Sequence, residues 1–180
     1  MMIEIVEASA NDANVVARLH SLSWQASYAG ILPDDYLKNE AARERAEYWS
    51  VALPAGDYSL VLLATDGPDP VGFIAVKDGA DEGYDATIEH LHVLPKMKGI
   101  GLGRRLMQQT SELLLARGAN SVCLWVFEDN RTAIGFYESL GGLTDAYGTD
   151  EFLGSDKPDR RIGWHDLSAL HHASSPGNKP

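Results

Sequence analysis

Cysteine is almost absent from this chain, and long apolar runs are missing altogether. The single cysteine, Cys123, cannot form an internal disulfide, and its place in the apolar run 122–126 predicts a buried strand residue. No apolar run reaches the roughly 20 residues that a membrane helix needs. The first residues also lack the basic-then-apolar pattern of a signal peptide. The sequence therefore predicts a cytoplasmic protein without a membrane partner.

Basic residues are scarce in the first half of the chain. Residues 1–90 hold 16 acidic and 5 basic side chains, whereas residues 91–180 hold 10 of each, so the first half carries the net charge of -11. Such a chain is a poor nucleic-acid binder, because affinity for phosphates comes mainly from lysine and arginine. Lys96, Lys98, Arg104 and Arg105 nevertheless lie within ten residues that contain no acid, which is where an anion could bind.

The length of 180 residues, with 44% hydrophobic and 23% charged residues, predicts one soluble globular domain. We place this domain at residues 1–168 and expect residues 169–180 to form a disordered tail. Apolar spacing and turn residues predict an α/β fold. The expected strands are 3–6, 59–64, 71–76, 86–94, 121–127, 143–152 and 160–167. The expected helices run from 9 to about 28, from 33 to about 53, from 102 to 118 and from 131 to 140.

A glycine-rich segment, residues 98–104, lies between a predicted strand and a predicted helix. Bare backbone amides at the positive end of a helix bind phosphate readily, and glycine allows the phosphate to approach the backbone. The spacing does not fit a dinucleotide-binding Gly-x-Gly-x-x-Gly, and no Gly-Lys-Ser/Thr triplet completes a P-loop. A tight connection without a ligand remains an alternative for this segment alone.

A second segment begins where strand 121–127 gives way to helix 131–140. Asn130 at this junction could cap the helix or hydrogen-bond an amide-rich ligand. Tyr137, on the helix, could be a core aromatic residue or a proton donor. These residues alone leave both alternatives open.

Together the two segments resemble the GNAT superfamily of N-acetyltransferases. The first is similar to its coenzyme A loop, Gln/Arg-x-x-Gly-x-Gly/Ala, with Lys98, Gly101 and Gly103 at the three positions. The second is similar to Asn-x-x-Ala-x-x-Phe-Tyr-x-x-x-Gly-Phe, beginning at Asn130, with Gly142 in place of the last phenylalanine. The resemblance implies a mixed α/β fold with a central, mostly antiparallel sheet of six or seven strands and about four helices.

The resemblance also implies acetyl-CoA as co-substrate, without a metal. Its diphosphate would bind the loop residues Lys98, Gly99, Ile100, Gly101, Leu102, Gly103 and Arg104. The backbone of Leu91, His92 and Val93, on a strand that splays from its neighbour, would bind the pantetheine arm and the thioester carbonyl. Asn130 would bind the same arm, and Tyr137 would protonate the departing thiolate.

The base that deprotonates the acceptor amine is less constrained by the sequence. Glu89, His90 and His92 are the titratable residues of strand 86–94, and the strand period of two puts Glu89 on the face opposite to both histidines. We expect Glu89 to be the base, with deprotonation through water as the alternative. The resemblance implies that Trp24 and Tyr28 form part of the acceptor mouth.

The acidic first half would concentrate cationic amines at such a mouth, although an acidic surface also serves solubility. We therefore expect a small-molecule amine acceptor. Acetylation of a peptide or protein amine, or non-catalytic binding of acyl-CoA by a sensor, are the alternatives. Dimers are common in the family, so a homodimer is compatible with the sequence. The sequence contains no Gly-x-Ser-x-Gly elbow, so it does not indicate a hydrolase. The adjacent His171 and His172 fall in the expected tail, so they do not indicate a metal site.

Overall fold

The computed structural model describes residues 2–152 and 155–171. The first part of the chain forms β1 (Ile3–Glu7), a 3₁₀ turn (Ala10–Asp12), α1 (Ala13–Ser27), a π-helical turn (Tyr36–Glu40) and α2 (Ala41–Ala55). The central part forms β2 (Leu60–Asp66), β3 (Asp69–Asp78), β4 (Ala86–Val93), a 3₁₀ turn (Pro95–Met97) and α3 (Leu102–Ala116). The last part forms β5 (Val122–Phe127), α4 (Arg131–Ser139), β6 (Leu143–Phe152), β7 (Ser155–Trp164) and α5 (Leu167–His171).

The strands form one sheet in the order β1-β2-β3-β4-β5-β7-β6. All neighbouring strands are antiparallel except β4 and β5, which are parallel. Within the described residues the sheet therefore has seven strands, accompanied by five α-helices. The predicted fold class is confirmed, with α5 as one more helix than expected.

Both faces of the sheet are covered because its central strands are apolar on both sides. In β2, Leu60 and Leu62 belong to the core under α3, α4 and α5, whereas Val61 and Leu63 belong to the core under α1 and α2. Adjacent strand residues point to opposite faces, so a nearly continuous apolar run serves two helical layers.

Two element bounds differ from those expected from the sequence. Ser9 and Asp12 form the predicted capping pair, and Asp12 accepts a hydrogen bond from the Ser9 backbone amide at 2.7 Å, but the pair caps a 3₁₀ turn that ends at Asp12, and α1 begins only at Ala13. The last strand begins at Ser155 rather than Arg160. The charged start of β7 contains Pro158, which disfavours a strand in a sequence pattern, yet Pro158 pairs with Thr149 of β6.

Two irregularities of β4 shape the centre of the molecule. β4 pairs with β5 only through Ala86–Val122 and Thr87–Cys123, so the two strands diverge beyond Thr87. On its other edge, Ala75 of β3 pairs with His90 and Val76 pairs with Ile88, which leaves Glu89 as the extra residue of a β-bulge. The predicted splay of this strand is present, and it opens a cleft in the sheet.

The expected domain end at residue 168 has to be corrected, because it falls inside α5. Leu167 and Leu170 of this helix are both buried against the core, which orders the chain as far as His171. The rest of the expected tail, residues 172–180, lies outside the described residues. In the part of the chain that the structure covers, no helix is both long and apolar enough to cross a membrane.

Candidate active site

A cleft of about 740 Å³ opens where β4 and β5 diverge. It is lined by every residue that the sequence analysis placed in the site, except Ile100. The Ile100 side chain is 49% exposed and lies outside the cleft, so the structure does not support a side-chain contact for it. The two sequence motifs, far apart along the chain, thus line one continuous space.

The glycine loop forms one end of the cleft, and its glycines have different structural roles. Gly99 and Gly101 adopt φ values of +80° and +86°, which disfavour residues with a side chain. Gly103 instead allows α3 to approach α4, since a Cβ there would lie 3.2 Å from Cζ of Phe136. The first turn of α3 directs amides without helical acceptors at this end of the cleft, as an anion site requires.

Lys98 adds a positive charge beside these amides. Its Nζ donates a hydrogen bond to Oγ of Ser27 at 3.1 Å, which ties the loop to the end of α1. Lysine contributes a single compact charge where many members of the resembled family have arginine or glutamine. Lys98 lines the cleft together with Arg104.

Asn130, Tyr28 and Tyr137 line the same cleft. The side-chain oxygen of Asn130 accepts a hydrogen bond from the amide of Ala133 at 3.3 Å, so this residue caps α4. Burial raises the pKa of Tyr28, and a hydrogen bond with the Asn130 side chain partly opposes that rise. Tyr28, expected at the acceptor mouth, therefore also supports the residues expected around the thioester.

Tyr137 is buried, with 8% of its surface exposed, and lines the cleft. Burial raises the pKa of its phenol, and the neighbouring Tyr28 raises it further. The phenol therefore stays protonated at neutral pH. A proton donor in a reaction needs that protonation state.

The bulge in β4 corrects one expectation about the candidate base. An extra residue interrupts the alternation of side chains, so Glu89 does not simply face away from His90. Both residues line the cleft. The Tyr58 hydroxyl lies 3.0 Å from Nε2 of His90, within hydrogen-bond distance. Burial, a hydrogen bond with Tyr48 and, to a smaller extent, the charge of Glu89 raise the pKa of Tyr58. Glu89 itself is exposed.

Three histidines cluster between β4 and the α1–α2 layer. The ring centroid of His20 lies 4.7 Å from that of His90 and 4.5 Å from that of His92. Burial lowers the pKa of all three rings, and the charge of Arg45 contributes in each case; the pKa of His92 falls to about 3. These imidazoles are neutral and weakly basic at pH 7, which makes them poor bases for an ammonium group.

One ring nitrogen from each histidine lies within 4.8 Å of the other two, a spacing that invites comparison with a metal site. The indole nitrogen of Trp49 donates to Nδ1 of His20 at 3.0 Å. Indole nitrogen only donates, so Nδ1 is unprotonated and the neutral ring carries its proton on Nε2. A metal ligand needs a lone pair at that second nitrogen, so this donor set does not suit a metal ion.

Three carboxylates also line the cleft. They belong to Glu89, Asp150 and Asp159, and the aromatic side chains of Trp125 and Phe127 line the cleft with them. Asp159 is 9% exposed, and its Oδ1 is buried without a hydrogen-bond partner among the described residues. The cleft thus combines a glycine loop that has basic neighbours with a set of acidic and aromatic side chains.

Known proteins share this architecture. The sequence model of the acetyltransferase (GNAT) family matches residues 17–142, which include both motifs. The chain belongs to the GNAT acetyltransferase family. It is 31% identical over 172 residues to the uncharacterized N-acetyltransferase YuaI of Bacillus subtilis (strain 168), across 94% of this chain and 96% of the relative.

Solved GNAT structures have the same fold. The PaiA N-acetyltransferase of Thermoplasma acidophilum, in complex with coenzyme A, is 22% identical, with a TM-score of 0.69 over 89% of this chain and 98% of that chain. YncA of Salmonella typhimurium, with its cofactor acetyl-CoA, is 19% identical, with a TM-score of 0.66 over 99% of this chain and 100% of that chain. The predicted family and its class, an acetyl-CoA-dependent N-acetyltransferase, are confirmed.

The sequence analysis missed several residues of this GNAT cleft. Asp159 was missed because the last strand was expected to begin at Arg160, the residue after it. Trp125 was assigned only to a strand, although residues of one strand face alternate sides and Trp125 therefore shares a face with Phe127. His20 lies four residues before Trp24 on α1, a spacing that places both on one face of the helix and could have indicated the histidine cluster.

Proposed function

We propose that this enzyme transfers the acetyl group of acetyl-CoA directly to a primary amine of a small cationic acceptor, with both substrates bound together. The observation that carries the proposal is the single cleft lined by a glycine loop with basic neighbours, by Tyr137 and by the carboxylates of Glu89, Asp150 and Asp159. A donor bound at the loop and an acceptor bound at the carboxylates would share this cleft with Tyr137.

The chain's own residues would hold acetyl-CoA along the first half of the cleft. The amides opening α3, with Lys98 and Arg104, would bind the diphosphate. The edge of β4 that faces away from β3 has no pairing with β5 beyond Thr87. Backbone amides around Leu91, His92 and Val93 are therefore suited to hydrogen bonds with the pantetheine arm and the thioester carbonyl.

The transfer then requires that two protons leave the amine nitrogen and that one reaches the departing sulfur. Glu89 would accept the first proton from the ammonium group, leaving an uncharged nitrogen that attacks the thioester carbon. As the carbon–nitrogen bond forms and the carbon–sulfur bond breaks, the phenol of Tyr137 would donate its proton to the departing sulfur. The nitrogen then loses its second proton to solvent, Glu89 releases its proton, and Tyr137 regains one, so the products are an amide and the free thiol of coenzyme A.

The uneven charge of the chain supports a cationic acceptor. All of the net charge of -11 lies in residues 1–90, which supply Glu89, and β6 and β7 add Asp150 and Asp159. Carboxylates that line a cleft raise the local concentration of cations and speed their entry.

The test is thiol release with a panel of acceptors at low salt, after calorimetry with acetyl-CoA. We expect acetyl-CoA to bind, and cationic aliphatic amines to be acetylated faster than aromatic amines that are uncharged at the same pH. Equal rates for both groups would contradict the cationic acceptor. Faster acetylation of short peptides would favour a peptide or protein acceptor, and binding without thiol release would favour a sensor.

A further inference from the structure

Asp159 is a buried carboxylate to which the described part of the chain supplies no cation. The two residues that follow it on β7 are both arginines, but each is engaged elsewhere. Arg160 forms two hydrogen bonds with Glu128, at 2.8 and 2.7 Å. Arg161 bonds Asp145 at 2.9 Å and Asp81 at 2.6 Å. Oδ1 of Asp159 is left buried and without a partner among the described residues.

Negative charges near Asp159 make its ionised form still less favourable. Burial raises the pKa of Asp159, and the negative charges of Asp150 and Glu128 raise it further. A buried charge without a partner is unfavourable, and a bound cation would offset that penalty. Asp159 lines the cleft, so a cation that enters the cleft can approach its carboxylate.

Gly148 of β6 pairs with Asp159, and the absence of a side chain there lets the carboxylate and the indole ring of Trp125 pack closely against this strand. A Cβ at Gly148 would lie 2.7 Å from Oδ1 of Asp159 and 3.0 Å from Cζ3 of Trp125, so a larger residue would displace both groups. A carboxylate beside an aromatic ring is a favourable environment for an ammonium group.

The proposed function already assigns Glu89 to the nitrogen that is acetylated, so Asp159 is a second carboxylate of the cleft that can bind another nitrogen of the acceptor. From this we infer that Asp159, with Asp150 beside it, binds a second cationic nitrogen of the acceptor, and that the preferred acceptors are diamines. The inference rests on the proposed function and extends it, since it assigns separate sites to the two nitrogens. Glu89 serves the reacting nitrogen, and Asp159 holds the other as an ammonium.

The experiment compares linear diamines with linear monoamines of equal chain length: diaminobutane with butylamine, and diaminopentane with pentylamine. The measured quantity is the ratio of kcat/KM for the diamine to that for its monoamine. In the native enzyme we expect this ratio to be large. Asp159→Asn should lower it about 30-fold or more, because removal of one partner of a buried charge pair has an effect of that size.

Two further variants make the comparison specific. Gly148→Ala would place a Cβ 2.7 Å from Oδ1 of Asp159, so it should displace the carboxylate and lower the ratio as well. Asp156→Asn changes the same charge at an exposed position of β7 outside the cleft, and it should leave the ratio unchanged. Asp159→Asn should not lower the melting temperature, because it removes a buried charge that has no partner in the described chain.

The outcomes separate this inference from the proposed function. Equal kcat/KM values for diamines and monoamines in the native enzyme, or a ratio that survives Asp159→Asn, would overturn the diamine site and leave amine acetylation in place. Diamine binding to the coenzyme A complex that depends on Asp159, without thiol release from acetyl-CoA, would support the site and overturn the proposed function. Neither binding nor release would overturn both.

Discussion

The phenol of Tyr137 lies in the interior, yet it borders the cleft in which the proposed reaction takes place. Its raised pKa keeps the proton on the oxygen at neutral pH, so the phenol is in the protonated state that a proton donor needs. A phenylalanine has the same shape and packs in the same core, so replacing Tyr137 by phenylalanine isolates the proton.

We predict that Tyr137→Phe lowers kcat by about 10²- to 10⁴-fold, the usual contribution of a general acid. The affinity for acetyl-CoA, measured by calorimetry, should change little. Tyr147→Phe is the matched control, because Tyr147 is 73% exposed on β6 and does not line the cleft. Native activity in Tyr137→Phe would mean that the thiolate takes its proton from another donor.

Glu89 is the residue of β4 that the bulge leaves without a partner on β3, and it lines the cleft. We predict that Glu89→Gln lowers kcat/KM for amines about 10²-fold at neutral pH. The loss should diminish at higher pH, where a larger fraction of the amine is already uncharged in solution. The measurement is the pH profile of kcat/KM. A profile identical to that of the native enzyme would favour deprotonation through water.

At the scale of the single element, α3 offers a matched pair of glycines. Gly101 begins the helix with φ +86°, Gly118 follows its end with φ +90°, and a Cβ at either position would meet no neighbouring atom. Alanine at either position therefore carries a similar left-handed backbone strain, about 1–2 kcal/mol, without a steric clash. Only Gly101 lines the cleft.

We predict that Gly101→Ala and Gly118→Ala lower the free energy of unfolding to a similar extent, whereas Gly101→Ala alone weakens acetyl-CoA binding. The loop would relax away from the conformation that presents its amides, and an increase in Kd of about tenfold corresponds to 1.4 kcal/mol. Urea unfolding and calorimetry on both variants provide the two measurements. Equal affinity in the two variants would show that the diphosphate does not depend on this turn.

Elements with strong local patterns were predictable from the sequence. The glycine–helix junction at 98–104 and the asparagine-capped α4 combine turn residues with apolar spacing, and the structure has both. The bulge at Glu89 was not predictable, because nothing in the run Ile88–Glu89–His90 distinguishes an extra residue from regular alternation. The early start of β7 was hidden because its pairing with β6 holds a proline and several charges that local preference assigns to a loop.

At the scale of the whole molecule, the buried histidines link stability to pH. Their pKa values are lowered in the folded state, so below pH 6.5 the unfolded chain binds protons that the folded chain does not. The stability they contribute is complete above that pH and declines as the pH falls toward the folded values, about 3 for His92.

We predict that the free energy of unfolding, measured with urea, falls as the pH is lowered from 7.5 to 5. The slope should be up to about 1.4 kcal/mol per pH unit for each histidine. His92→Gln should reduce this slope, because one of the three groups no longer titrates. A free energy of unfolding that stays constant over this range would contradict the burial of these rings as neutral groups. Asp159, with its raised pKa, has the opposite sign and cannot produce the decline.

The residues proposed to bind acetyl-CoA could be predicted more completely than those proposed to bind the amine. The loop and the Asn130–Tyr137 segment are contiguous stretches whose spacing is visible in the sequence. The residues proposed to bind the amine come singly from β4, β5, β6 and β7, and only the order of strands in the sheet brings them together. Side chains that meet across strands leave no local spacing to detect.

The match to the family ends at residue 142, one residue before β6 begins. The β6–β7 hairpin, which carries Asp150, Gly148 and Asp159, therefore lies outside the stretch that holds the glycine loop and Tyr137. Under the proposed function this hairpin would supply two carboxylates of the amine site, while Glu89 belongs to the matched stretch. We therefore expect an exchange of the hairpin between relatives to alter amine preference and to leave acetyl-CoA binding intact.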